Sequence, residues 1–144
     1  MSRSVKIAIG LLAVLLMGWL FHEPLGRGAA YADALETQAR AAVARAELPG
    51  ISVSVMRDPI ARIAVLSGEA NDLQREGLGS QWGVNDYVRA VPGISGVRWQ
   101  GEAGQSRVVP LLLETLLLVL LAYLIGLGLG RLLFGRRKRQ SYLD

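Results

Sequence analysis

Two long apolar segments, one near each end of the chain, leave it few ways to fold. Val108 to Gly130 carries Glu114 as its single charge. At about 1.5 Å per helical residue this stretch spans a hydrocarbon core of roughly 30 Å. Arg131 and the run Arg136-Arg137-Lys138-Arg139 follow it, a basic flank of the kind that stays on the cytoplasmic side. The earlier apolar segment, Ile7 to Phe21, follows Arg3 and Lys6. Basic residues at both outer ends place both termini inside and the middle outside. The expected divisions are 1–27 as an N-terminal anchor or signal peptide, 33–105 as an exported domain, 108–134 as a transmembrane helix and 135–144 as a basic cytoplasmic tail.

The charge balance excludes a large class of partners. The net charge is +4 and the pI near 10.0. Between Asp33 and Gln105, however, seven arginines meet nine carboxylates, leaving that stretch at −2. The basic character therefore sits on the membrane flanks, where it sets topology, and the clustered cations of a nucleic-acid surface are missing. There is no cysteine. Disulfides, thiolate metal sites and cysteine nucleophiles are excluded, and a domain of about 70 residues must hold together by packing alone.

The N-terminal segment has the features of both an anchor and a cleavable signal. Ala30-Tyr31-Ala32 before Asp33 is a small-x-small cleavage pattern. Against cleavage, His22 to Ala32 separates that site from the apolar run and contains Glu23, Pro24 and Arg27. An uncleaved anchor is the favoured reading, and either outcome exports the middle domain.

Within that domain, Leu35, Ala39, Ala42, Val43 and Ala46 recur at helical spacing and predict a helix over Asp33–Glu47, stopped by Pro49-Gly50. Ile51 to Arg57 alternates as a half-buried strand, Asp58-Pro59 turns the chain, and Arg62 to Leu66 returns as a second strand. A second helix is expected from Asn71 as N-cap to Ala90. Gly77, Gly79 and Gly83 either give it a close approach to the sheet or break it. Ile94 to Gln100 supplies a third strand. The fold class is α+β: a two-layer α-β-β-α-β domain with a three-stranded sheet, flanked by two transmembrane helices.

This order, with a hairpin ending in Leu66-Ser67-Gly68 and a helix ending in Val91-Pro92-Gly93-Ile94, resembles the BON domain (bacterial OsmY and nodulation) over roughly Leu35 to Trp99. The resemblance implies a periplasmic module associated with phospholipid membranes and envelope integrity, without catalysis. The chain holds one copy where family members often have two. Asp58-Pro59 also stands where the family commonly turns on Asn-Gly or Asp-Gly.

Residue chemistry points away from an enzyme. His22, the single histidine, closes the first apolar segment, and Ser67 and Ser80 have no histidine in the domain to activate them. Asp72 and Glu76 form an i,i+4 carboxylate pair that reads as a solvated helix start rather than a metal site. Gly126-Leu127-Gly128-Leu129-Gly130 lies inside the apolar segment and is no phosphate loop. No cofactor is expected.

The candidate contact residues are Trp82, Tyr87 and Arg89, for lipid headgroups or a protein, while Trp99 on a strand face reads as core. Glu114, an ionisable group in an apolar segment, and the small-xxx-small pair Gly126 and Gly130 are candidates for helix pairing. The function expected is a non-enzymatic, membrane-anchored envelope protein whose domain associates with phospholipid and organises the envelope. The alternative is a protein-interaction or scaffold subunit of an inner-membrane complex. The partners expected are membrane phospholipid, an envelope protein or a second copy, and no nucleic acid.

Overall fold

The computed structural model describes residues 2–102 and 108–134; the basic tail from Arg136 to Arg139 lies outside them. Ten elements follow in chain order. They are α1 (Arg3–His22), α2 (Arg27–Arg45), β1 (Ser52–Arg57), β2 (Ile60–Ser67), α3 (Asp72–Glu76), β3 (Gly77–Leu78), β4 (Gln81–Trp82), α4 (Val84–Arg89), β5 (Gly96–Trp99) and α5 (Leu111–Phe134). The fold is mixed α+β, and its three-stranded sheet is ordered β1-β2-β5. β1 and β2 are antiparallel across Asp58-Pro59, whose peptide bond is cis, with Val53 opposite Leu66 and Val55 opposite Ala64. β5 runs parallel to β2, Ile63 beside Gly96 and Leu66 beside Trp99.

Alternation along the strands turns Val53, Val55, Ala64 and Leu66 to one face. There Val53, Ala64 and Leu66 meet Ala39 and Val43 of α2, Val84 and Val88 of α4, and Trp99 in one buried cluster. A smaller cluster joins Ala32, Leu35 and Val55, with Ile60 and Ile94 packed against it. Ala32 is 1 % exposed. Cleavage after that residue would therefore remove both the first turn and a half of α2 and one wall of the core.

Two expected elements differ in extent. The first domain helix begins at Arg27 rather than Asp33, because only a short corner, Glu23 to Gly26, separates it from α1. Gly26 takes the left-handed conformation that the corner requires, φ 63°. The second expected helix, Asn71 to Ala90, is broken. Asn71 does cap it, its side chain accepting from Gln74 N–H within a capping box. After one turn, Gly77 at φ 76° opens a two-stranded ribbon, β3 against β4. A Cβ on Gly77 would lie 2.1 Å from the Gln81 carbonyl oxygen, and one on Gly83 2.3 Å from that of Arg75. The glycines let two chain segments cross at backbone distance, which no continuous helix does.

α1 and α5 are 20 and 24 residues long, roughly 30 and 36 Å at the helical rise. Both are long and apolar enough to cross a membrane, and most of their side chains are exposed. They pack antiparallel. Gly10, Val14, Gly18 and His22 follow each other at four-residue steps on the covered side of α1. Gly10 meets Tyr123, and Gly18 meets Leu116 and Val119. The Tyr123 hydroxyl donates to the Ile7 carbonyl at 2.8 Å.

Candidate functional site

The junction between the helix pair and the domain is built from side chains distant in sequence. β2 begins at the foot of α5, where Ala61 forms an isolated bridge with Pro110. That register places Arg62 beside the first turn of α5. Its Nε donates to Glu114 Oε2 at 2.7 Å and a terminal nitrogen donates to Oε1 at 3.1 Å, a two-pronged pairing. The second terminal nitrogen donates to the Gly93 carbonyl at 3.1 Å. The Arg62 carbonyl accepts from the Ser95 amide and hydroxyl. Glu114 thus binds the domain itself, and its carboxylate pushes the Arg62 pKa up. Arg62 was not singled out in the sequence because an arginine in a polar domain carries no mark of its partner.

The corner between α1 and α2 is the second tie. His22 is 5 % exposed and its ring packs against Gly28, where a Cβ would lie 2.6 Å from Nε2. Glu23 Oε1 comes within 3.4 Å of Nδ1, yet neither ring nitrogen is aligned for a hydrogen bond among the described residues. A third tie lies in the domain. Glu36 of α2 accepts from the Val55 amide at 3.1 Å and from Arg57 at 3.0 Å, and also pairs with Arg40. Asp33 holds the same Arg57 at 2.8 Å. The Val55 amide, then the Arg57 hydrogen bond, hold the Glu36 carboxyl below its ordinary pKa.

Of the expected contact residues, Trp82 and Tyr87 meet, and Arg89 stands two residues beyond Tyr87 on α4. Trp82 on β4 is 58 % exposed and meets Tyr87 of α4 edge-to-face, centroids 5.3 Å apart at 69°. Arg89, also exposed, lies 4.0 Å from Glu76. Glu76 accepts from Asn85 at 2.7 Å, and Asn85 accepts from the Trp99 indole N–H at 3.0 Å. The surface is therefore wired to the core, where Trp99 is 5 % exposed under the Arg75 guanidinium at 4.1 Å. Leu78 and Leu73 add exposed apolar area on the same insertion.

Chain direction fixes where this surface sits. β2 and β5 both run away from Pro110 and Glu114, Ile60 to Ser67 and Gly96 to Trp99. α2 likewise starts at the corner with α1 and ends far from it. Trp82 and Tyr87 pack beside Gln38, Ala41 and Arg45, in the second half of α2. The Trp82 surface thus belongs to the half of the domain remote from the helix pair.

Gly126 and Gly130 have no atom of another element within 4 Å of where a Cβ would stand. The contacts between α1 and α5 use Gly10 and Gly18 instead, and the four-residue step Gly10, Val14, Gly18, His22 was the signal for them. Among the described residues, no three His, Cys, Asp or Glu side chains gather as metal ligands. Comparison with protein-family models, with curated proteins and with solved structures gives no match for this chain.

Proposed function

We propose that this chain is a non-enzymatic, membrane-anchored interaction protein. In this reading α1 and α5 cross the inner membrane as a pair, both basic flanks are cytoplasmic, and the domain stands in the periplasm of a bacterium. The BON-like reading belongs to the same proposal; it rests on α2, β1, β2, α4 and β5 in that order, with α3 and the β3/β4 ribbon standing between β2 and α4 where one continuous helix was expected. The Trp82, Tyr87 and Arg89 surface is the contact site for another envelope protein.

The observation that carries the choice is the position of Trp82 on the half of the domain remote from the helix pair. A domain gripped by Arg62–Glu114 and by the His22 corner does not swing freely to lay that surface on its own membrane. Phospholipid association is the second reading, favoured by the exposed Leu73, Leu78 and Trp82, since indole and leucine side chains settle into headgroup layers.

Because the chain has no cysteine, one label site can be introduced at will. A spin label on Leu78→Cys in the full chain, reconstituted in anionic nanodiscs, distinguishes the readings. Access by a water-soluble nickel relaxant equal to that of a free label supports the interaction protein. Protection matching a label within the headgroup layer overturns it in favour of lipid association.

A further inference from the structure

β1 is an edge strand, and its open side carries backbone groups with a defined direction. The Val55 amide points away from β2, since it donates to Glu36. By the two-residue alternation, the amide and carbonyl of Val53, and those of Ile51 if extended, point the same way. The other side of the pair agrees. The Leu66 carbonyl, opposite Val53, accepts from Gln100 on the β5 side, so Val53 and Leu66 exchange no ladder bonds. Glu36 ends the open stretch at Val55.

A groove runs along this open stretch. It holds about 820 Å³ between β1 and the second half of α2, lined by Arg40, Val43, Ala44, Leu48, Ile51 and Val53. A strand edge that is unpaired among the described residues on one wall, and a helix on the other, is the layout in which proteins bind peptides by strand addition. Main-chain bonds hold such a peptide, and alternate side chains enter the groove.

Geometry selects the occupant. α2 packs on β1 more heavily than on any other element, so it overhangs the edge strand. A second copy pairing through its own β1 would place strands about 4.8 Å apart. Its α2 would then lie near that distance from this one, well inside the 8–10 Å at which helices pack. A bare extended segment brings no helix and fits.

We infer that the β1 edge and the α2 wall form a peptide-binding groove that takes an extended segment of another protein as an added strand. This site is separate from the Trp82 surface and does not depend on it.

The test uses the full chain in nanodiscs and a phage-displayed library of random peptides as the probe. A recovered peptide, synthesised and titrated, is expected to lose at least about tenfold in affinity against Ala44→Trp, which fills the groove from an exposed helix position. Methylating its backbone nitrogens one at a time should abolish binding at every second residue only, the signature of strand pairing. Trp82→Ala should leave its affinity unchanged, so the groove and the Trp82 surface are read separately. Thermal melting of Ala44→Trp checks that the fold is intact. Failure to recover any peptide overturns the inference. So does a peptide indifferent to Ala44→Trp, or one without the alternating methylation pattern.

Discussion

Breaking the Arg62–Glu114 pair should loosen the domain from its anchor by a measurable free energy. The side chains of Arg62 and Glu114 are 31 % and 25 % exposed. The pair therefore lies between an exposed ion pair, worth up to about 1 kcal/mol, and a buried one, whose breakage costs about 3–5 kcal/mol. Two charge-assisted hydrogen bonds are lost with Glu114→Leu, and Arg62 keeps its bond to Gly93. About 2 kcal/mol is expected for the single change. Arg62→Leu should cost a similar amount, because it leaves the Glu114 carboxylate half-covered without its partner. The double variant should recover part of the loss, giving a coupling of about 1–2 kcal/mol. Urea unfolding of the full chain in nanodiscs is the assay. Fluorescence of Trp99, buried under Arg75, reports on the domain, with Trp19 and Trp82 replaced by phenylalanine throughout. A coupling below about 0.3 kcal/mol would refute the reasoning, since the pair would then be an ordinary surface contact and the grip on the anchor would lie elsewhere.

Glu36 should make the domain acid-sensitive. Its folded pKa is lowered, so its stabilisation is present in full above the unfolded glutamate value, about 4.3, and is lost as pH falls through the lower folded value. Unfolding curves between pH 3 and pH 7 should show Glu36→Gln less stable at neutral pH and flatter on the acid side; parallel curves would sink the idea. Gly10→Leu puts a side chain where the Tyr123 ring lies, its first carbon 2.6 Å from the hydroxyl, and should separate α1 from α5. Disulfide trapping between Val14→Cys and Val119→Cys should fall sharply in that background, whereas undiminished trapping would mean that the helices meet differently. Trp99→Ala should cost about 3–5 kcal/mol through the lost core volume. Trp82→Ala should cost no more than about 1.5 kcal/mol, the worth of its edge-to-face pair with Tyr87, and a larger loss would make Trp82 structural.

Patterns that repeat along the chain were legible before any coordinates. The helix around Leu35 to Val43, the Val53/Val55 alternation, the Asn71 cap and the burial of Trp99 all follow from nearest-neighbour spacing and local capping chemistry. The gap between Asn71 and Ala90 was less legible. Helical periodicity continued through it, while Gly77, Gly79 and Gly83 allowed either a close approach or a break. A contact between segments, the crossing of Gly77 with Gln81 and of Gly83 with Arg75, made the choice.

The candidate site shows the same division more sharply. Glu114 stood out alone because a carboxylate in an apolar run is costly and therefore conspicuous. Its partner Arg62 is one of seven arginines between Asp33 and Gln105, and 52 positions separate the two. Trp82 and Tyr87 are near neighbours in sequence and meet in the fold, and Arg89 shares α4 with Tyr87. Their distance from the helix pair depends on the parallel course of β2 and β5.

Length, apolarity and flanking charge, all properties of single segments, are enough to mark two helices fit to cross a membrane and an α+β domain between them. Which glycines face the partner helix, which arginine grips Glu114, and which strand is left with an open edge are relations between segments. They are settled only when packing brings those segments together, because steric fit and ion pairing act at a few ångströms and the sequence carries no distances.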